Sequence, residues 1–205
     1  MITRLDDYVG KVMELLKSLG LEEKTLVIFT SDNGPHKEGG HIPEYFDSNG
    51  DLQGIKRDLY EGGIRVPFIA RWKGKISVGK TSTHISSFPD MLSTFAQLAQ
   101  QPTPQSTTGI SMLPSLLRKE RQARHRYLYW EFYEQGGSRA VRMGDWKGVR
   151  KSWHAPIELY NLKKDIGETT NLAKKHPKIV AQIENIMEEA RIPSEQWQIP
   201  TKLKE

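Results

Sequence analysis

The sequence Leu26-Val27-Ile28-Phe29-Thr30-Ser31-Asp32-Asn33-Gly34-Pro35 decides how the first part of this chain folds. Residues 26–30 are aliphatic, aromatic or β-branched and have the length of a buried strand. The Asp-Asn-Gly-Pro run after them requires a sharp turn. It also places a carboxylate and an amide oxygen, both hard donors that suit a divalent cation, at the end of the strand. At this point an ordinary Asx turn and a metal site both remain open.

A helix is predicted before this strand. Apolar residues recur at helical spacing from Leu5 to Leu19, and Gly20 ends the pattern. We interpret it as an amphipathic helix that covers a sheet. A helix, a short connection, a buried strand and a polar loop follow one another in α/β domains, where ligands collect beyond the carboxyl ends of strands.

A long, glycine-rich loop follows the turn. Residues 31–63 show no clear helix and contain two histidines, His36 and His41. A loop of this length in a compact domain is usually functional or disordered. It leads to a second predicted strand at 67–72.

Composition and charge exclude several classes of protein. The chain has 205 residues, 37% of them hydrophobic, and five tryptophans, which indicates a folded protein. It has no cysteine, which excludes disulfides, thiolate nucleophiles and zinc–thiolate sites. No apolar run approaches the ~20 residues that cross a bilayer, and the first residues lack the apolar centre of a signal peptide. We therefore expect no membrane partner, and the compartment stays unknown.

The net charge of +5 comes from the second half of the chain, especially the basic segment 118–126. Such a segment is either a patch for polyanions or a solvated linker. We interpret it as a linker. No aromatic platform or nucleic-acid motif accompanies it, so we expect no nucleic-acid partner.

The hydrophobic period changes to two after residue 126. Strands are predicted at 126–133, 138–143, 146–151 and 157–162, separated by turns. Pro177 begins a helix with one apolar stripe. The sequence thus predicts a four-stranded antiparallel sheet with one packed carboxyl-terminal helix.

Several short motifs in this order resemble the type I sulfatase family, a formylglycine-dependent, arylsulfatase-like branch of the alkaline-phosphatase-like superfamily. The resemblance covers nearly the whole chain. The motifs are Ser31-Asp32-Asn33-Gly34, Gly54-x-Lys56, Tyr60-Glu61-Gly62-Gly63-x-Arg65-x-Pro67, 90–94, 140–147, 158–162 and 171–173. The implied α/β fold is the carboxyl-terminal part of the sulfatase α/β sandwich domain (1–117), a linker (118–126) and a small α+β subdomain (127–205).

The resemblance also implies a site. Asp32 and Asn33 correspond to two of the family's calcium ligands, and Lys56 to the lysine that contacts the sulfate and the leaving group. His36 and His41 lie between them, where they either line the substrate pocket or serve only as hydrogen-bonding partners in the loop. Glu61 and Arg65 are expected to be structural, with Arg65 paired to a carboxylate.

One family feature is missing. Sulfatases use a Cys/Ser-x-Pro-x-Arg motif, whose first residue becomes the formylglycine nucleophile, and this chain has no cysteine and no serine in such a motif. Ser87-Phe88-Pro89-Asp90-Met91 is the nearest approach, but it has methionine where arginine is needed. We therefore expect a carboxyl-terminal sulfatase fragment that is inactive alone.

The function implied by the resemblance is hydrolysis of sulfate monoesters, of carbohydrates above all, with calcium as the metal. A non-catalytic module that binds calcium and sulfated glycans, or an inert truncated scaffold, is the alternative. The expected partners are a sulfated carbohydrate or aryl sulfate, and either a missing amino-terminal half or a second copy of the chain. Members of the family are often periplasmic, secreted or lysosomal.

Overall fold

The structure is a computed structural model that describes residues 1–118, 121–134 and 136–199. It divides into two compact units, one formed by Met1–Thr30 with Pro67–His125 and the other by Ser31–Val66 with the chain from Arg126 onward. The elements in chain order are α1 (Ile2–Ser18), β1 (Val27–Thr30), a 3-10 turn (Glu38–Gly40), α2 (Glu61–Ile64), β2 (Phe68–Arg71), α3 (Pro89–Leu98), α4 (Leu113–Leu116), β3 (Leu128–Phe132), β4 (Ser138–Met143), β5 (Trp146–Arg150), β6 (Glu158–Asn161), a second 3-10 turn (Ala173–Lys175) and α5 (Pro177–Glu189).

The first unit is built around the strand that opened the sequence analysis. β1 pairs with β2 in antiparallel register, with Val27 opposite Arg71 and Thr30 opposite Phe68. Both strands and α1 form where the sequence predicts them. The prediction that α1 covers a sheet is wrong for this chain, because α1 has no buried residue. Its apolar stripe is exposed at Leu5, Tyr8, Val12 and Leu15.

A buried carboxylate holds the rest of this unit together. Asp90, at the start of α3, accepts hydrogen bonds from the backbone N–H of Ser87 and of Ile110, at 2.8 and 2.7 Å. The imidazole Nε2 of His125 lies 2.9 Å from the same carboxylate. This one side chain therefore ties three separate stretches of chain to α3.

The second unit contains the predicted four-stranded antiparallel sheet, in the order β3-β4-β5-β6. α5 covers one face of it, where Ile183 and Met187 pack with Val141 and Leu159. The other face packs on the end of the long loop. Leu59, Tyr60, Ala140, Val149, Tyr160 and Leu162 form the buried cluster there.

This second cluster explains why residues 31–66 pack with the carboxyl-terminal sheet. The sequence-based division assigned them to the first domain (1–117), and as a statement about family domains that division stays a prediction. In the predicted linker, Lys119 and Glu120 lie outside the described residues. Gln122 of the same segment is fixed, since its amide oxygen accepts from the Ser115 N–H at 2.8 Å and its amide nitrogen donates to Ser111 O at 2.9 Å.

Among the described residues, no helix is long and apolar enough to cross a membrane.

Candidate functional site

Backbone hydrogen bonds bring the Asp-Asn-Gly turn next to the segment that carries Lys56. The Gly34 N–H donates to Gly63 O at 2.9 Å, and the Lys56 N–H donates to Pro35 O at 2.7 Å. Gly34 has to be glycine, because a Cβ there would lie 1.8 Å from Gly62 O. Two motifs more than 20 residues apart in sequence thus meet through the main chain.

The side chain of Lys56 lies against a glutamate in the 3-10 turn. Its Nζ is 3.1 Å from Glu38 Oε2, while Arg57 Nη2 is 2.9 Å from Glu38 Oε1. The hydrogen bond from Lys56 lowers the pKa of the Glu38 carboxyl below its usual value. Sequence reasoning missed Glu38, since nothing in a pattern links residues 18 positions apart across an irregular loop.

His36 and His41 are both engaged within the loop. His36 Nδ1 accepts from the Glu38 N–H at 3.0 Å, which places it beside the carboxylate that holds Lys56. The ring of His41 is stacked on Phe46, with centroids 5.4 Å apart, and its Nε2 lies 3.4 Å from Ser48 Oγ. These contacts fit the loop-bonding role, and contact with substrate stays a prediction.

Asp32 and Asn33 are the two residues predicted to bind calcium. Asp32 is exposed, and the Asn33 amide nitrogen donates to Gly34 O at 2.9 Å, which fixes the orientation of that side chain. A carboxylate and an amide oxygen fit calcium, but calcium takes 6–8 oxygen ligands. No group of three or more His, Asp or Glu in the described part of the chain could hold a metal. The pair therefore fits the ion chemically without completing a site.

A buried ionic network supports the Glu61-Gly62-Gly63 segment. Lys147, with a fully buried side chain, lies 2.9 Å from Glu61 Oε1 and 3.0 Å from Glu168 Oε1. The Glu61 N–H donates to Glu168 Oε2 at 2.6 Å. Arg65 Nη1 donates to Glu61 Oε2 at 3.1 Å, so the expected pairing of Arg65 with a carboxylate is present.

The two carboxyl groups of this network respond to burial differently. Burial opposes ionisation of Glu61, but the charge of Lys147 and its hydrogen bonds hold the pKa of Glu61 below its usual value. Burial dominates at Glu168 and raises the pKa of that carboxyl in spite of Lys147. The network fixes Glu61, and through Gly63 it fixes the Asp-Asn-Gly turn.

Two family models match this sequence. The model described as Sulfatase matches residues 1–101, and the one described as N-sulphoglucosamine sulphohydrolase, C-terminal, matches residues 54–193. Together they cover both the turn with Lys56 and the carboxyl-terminal sheet.

Curated relatives and solved structures agree with these matches. The chain is 32% identical to an N-acetylgalactosamine-6-O-sulfatase of Bacteroides thetaiotaomicron, over 93% of this chain and 41% of the relative. It is 36% identical to arylsulfatase A of Homo sapiens, over 83% of this chain and 38% of the relative. The crystal structure of Ps i-CgsB in complex with k-i-k-neocarrahexaose superposes with a TM-score of 0.82 at 29% identity, over 98% of this chain and 43% of that one.

The chain spans about two fifths of the length of these relatives. The matched motifs, the buried network and the four-stranded sheet all lie in the part that is shared. The chain belongs to the type I sulfatase family, and it corresponds to the carboxyl-terminal portion of a sulfatase.

Proposed function

We propose that this chain carries the calcium-side and leaving-group-side half of a sulfatase site for sulfate monoesters of carbohydrates. The observation that carries the proposal is the pair of backbone hydrogen bonds that sets Asp32 and Asn33 beside the Lys56 segment. The names of the relatives support a sulfated sugar as substrate, since they include an N-acetylgalactosamine-6-O-sulfatase and an N-acetylgalactosamine-6-sulfatase, each 32% identical to this chain.

Lys56 is the residue that would act on the sulfate ester. Its side chain is about one third exposed, so its ammonium group can reach a ligand from the loop surface. A cation at that position stabilises the negative charge that develops on the departing oxygen. Glu38 holds the lysine side chain in place when no substrate is bound, and a sulfate competes with it for the same charge.

Asp32 and Asn33 would hold one side of the calcium ion that the family uses. The ion, when bound, draws electron density from the sulfate oxygens. The residues of this chain contribute two oxygen donors and a fixed turn. The remaining ligands and the formylglycine nucleophile have no counterpart in this sequence.

We infer that the chain alone does not hydrolyse sulfate esters, because the covalent route needs the nucleophile that is missing. The test is an assay of the purified chain with an aryl sulfate and calcium. Turnover at the background rate is expected. Turnover comparable to that of a complete sulfatase would contradict the proposal.

A binding module without catalysis is the second candidate, and the retained Lys56 favours it. Calorimetry with N-acetylgalactosamine 6-sulfate and calcium separates it from an inert scaffold. Binding that weakens in Lys56→Ala, but not in a control with an exposed lysine removed, Lys174→Ala, supports the module. If the wild-type chain binds neither ligand, the binding module is excluded and the inert scaffold is the remaining interpretation.

The exposed apolar stripe of α1 supports the proposal that this chain associates with another protein segment. Two occupants fit: the part of the sulfatase domain that the relatives possess and this sequence does not match, and a second copy of the chain. Either would remove Leu5, Val12 and Leu15 from water.

A further inference from the structure

A cleft of about 390 Å³ lies in the second unit, and Arg57, the residue after Lys56, is part of its lining. The loop 53–60 forms one wall of it, and strands β3, β4 and the end of β5 form the other. Its volume is near the lower end of the ~300–1,000 Å³ that ligand pockets in proteins occupy. Its lining residues are Gln53, Gly54, Arg57, Asp58, Leu59, Tyr60, Phe132, Glu134, Ser138, Val149 and Lys151.

Consecutive ion pairs connect Lys56, the proposed sulfate-binding lysine, to the cleft. Glu38 contacts Lys56 with one carboxylate oxygen and Arg57 with the other. Arg57 in turn reaches the β3–β4 hairpin, where its Nε lies 3.3 Å from Glu134 Oε2. A ligand group held at Lys56 would therefore have its neighbouring group at the mouth of the cleft.

The backbone of Arg57 supports a role beyond packing. Its φ is +82°, a value that a residue with a side chain rarely adopts. Such a conformation is strained, and strained residues cluster at binding and catalytic sites. Here it directs a guanidinium group to the cleft from the position next to Lys56.

The cleft combines an apolar floor with a rim of polar side chains. The partly buried Phe132 supplies most of the apolar surface, with the nearly buried Leu59 and Val149 beneath it. Arg57, Glu134 and Lys151 supply donors and acceptors around it. A sugar ring needs both, since its C–H face is apolar and its hydroxyls both donate and accept hydrogen bonds.

Both basic groups of the rim are paired with carboxylates, and a further carboxylate in the lining, that of Asp58, accepts a hydrogen bond from the Ile55 N–H at 2.8 Å. Arg57 is matched by Glu38 and Glu134, and Lys151 Nζ lies 3.0 Å from Glu158 Oε1. An anionic group in the cleft would have to break one of these pairs, whereas a hydroxyl can share it. The rim is therefore suited to an uncharged ligand.

We propose that this cleft binds an uncharged sugar residue adjoining the sulfated one. The inference rests on the proposed function for the sulfated residue, and it adds the class of substrate: an oligosaccharide in which a neutral residue neighbours the sulfate ester. Sulfated chains with a uronate in that position are disfavoured.

The first experiment uses an uncharged probe, so that it does not depend on Lys56. The isotope-labelled full chain is titrated with agarotetraose and followed by NMR. Saturable shifts are expected at the amides of Phe132, Ser138 and Lys151, and not at that of Lys174. Ser138→Tyr fills the cleft and should weaken this binding about tenfold or more, while Thr170→Tyr, on the exposed loop, should not.

The second experiment compares a κ-carrageenan tetrasaccharide with galactose 4-sulfate. Lys56→Ala should weaken both ligands, and Ser138→Tyr only the tetrasaccharide. Lys151→Ala removes one rim donor without filling the cleft and should weaken the tetrasaccharide about fivefold. Thermal unfolding of each variant confirms that it remains folded.

The outcomes separate the two proposals. No saturable shift at the cleft, or equal binding of agarotetraose by wild type and Ser138→Tyr, overturns the inference. A chondroitin 6-sulfate tetrasaccharide, which has a uronate neighbour, also overturns the inference if it binds more tightly than N-acetylgalactosamine 6-sulfate alone and loses that gain in Ser138→Tyr. An effect of Ser138→Tyr on agarotetraose together with no effect of Lys56→Ala on galactose 4-sulfate overturns the proposed function instead.

Discussion

At the scale of residues, the candidate site depends on positions that carry no chemistry of their own. Gly34 contacts the Gly62-Gly63 backbone so closely that no side chain fits between them. Lys147 is buried at the far side of the same segment and holds Glu61. These two residues set where Asp32, Asn33 and Lys56 stand, although neither would touch a sulfate.

Gly34→Ala is expected to destabilise the second unit by about 2 kcal/mol or more, since the new methyl group overlaps the Gly62 carbonyl and the backbone has to move. Denaturant unfolding measures the change. Gly10→Ala is the control, because a Cβ at Gly10 in α1 meets nothing within 4 Å. There alanine should be neutral or stabilising by up to about 1 kcal/mol. Equal stabilities of the two variants would contradict the close approach.

Lys147→Met should cost about 3–5 kcal/mol, because it leaves two buried carboxylates without their shared cation. Lys174→Met, at an exposed position, should stay within about 0.5 kcal/mol of wild type. Adding Glu168→Gln to Lys147→Met removes one of the buried charges and should recover part of the loss. Urea unfolding tests all three, and a Lys147→Met chain as stable as wild type would refute the role given to the network.

The same network predicts a pH dependence with two opposed parts. The pKa of Glu61 is lowered in the folded state, so its contribution is present above the unfolded pKa and is lost as the pH falls through the folded value. The pKa of Glu168 is raised, so the folded state favours its protonated form, and this part opposes the loss. Glu168→Gln removes the opposing part and should steepen acid destabilisation, measured by urea unfolding between pH 6 and about pH 3. If the stability of Glu168→Gln depends on pH as in wild type, or less steeply, the opposing role assigned to Glu168 is wrong.

At the scale of elements, the carboxyl-terminal sheet is a two-sided support. α5 covers one face, and on the other the sheet packs on the loop that carries Lys56. Gly148 in β5 allows α5 to approach, since a Cβ there would lie 2.6 Å from Ile183 Cγ2. The same sheet therefore supports both the packing of α5 and the position of the loop that carries Lys56.

Ile183→Ala should destabilise the second unit by about 2–5 kcal/mol, because Ile183 is fully buried between α5 and the sheet. Ile192→Ala is the matched control, at a side chain that is 87% exposed beyond the helix. Thermal and urea unfolding provide the measurement. A similar small effect for both variants would show that α5 is not packed as described.

At the scale of the whole molecule, the main feature is the apolar surface that α1 leaves in contact with water. Leu5, Tyr8, Val12 and Leu15 are each at least half exposed on one side of this helix. Apolar stripes of this kind on a folded chain normally mark a contact surface.

The purified chain is therefore expected to self-associate when no other partner is present. Val12→Glu with Leu15→Glu places two charges in the stripe and should shift the chain to monomer in sedimentation velocity. Lys17→Glu, on the polar side of the same helix, changes the net charge by the same amount; it is the control and should leave the association unchanged. A monodisperse wild-type monomer would contradict the expectation.

The sequence by itself determined the elements and the identity of the candidate ligands. The period-two runs after residue 126 predicted all four strands, and Pro177 predicted the start of α5, because alternation and capping are local properties of the chain. The Asp-Asn-Gly turn and the Gly-x-Lys segment predicted the family, since their order needs no tertiary information.

Only the tertiary structure decided which of these parts meet. It placed residues 31–66 on the carboxyl-terminal sheet, set Glu38 against both Lys56 and Arg57, and buried Lys147 between two carboxylates. Each of these contacts joins residues between 18 and 107 positions apart, or joins irregular loops that have no periodicity. These contacts depend on the packing of the whole second unit, so no local sequence pattern predicts them.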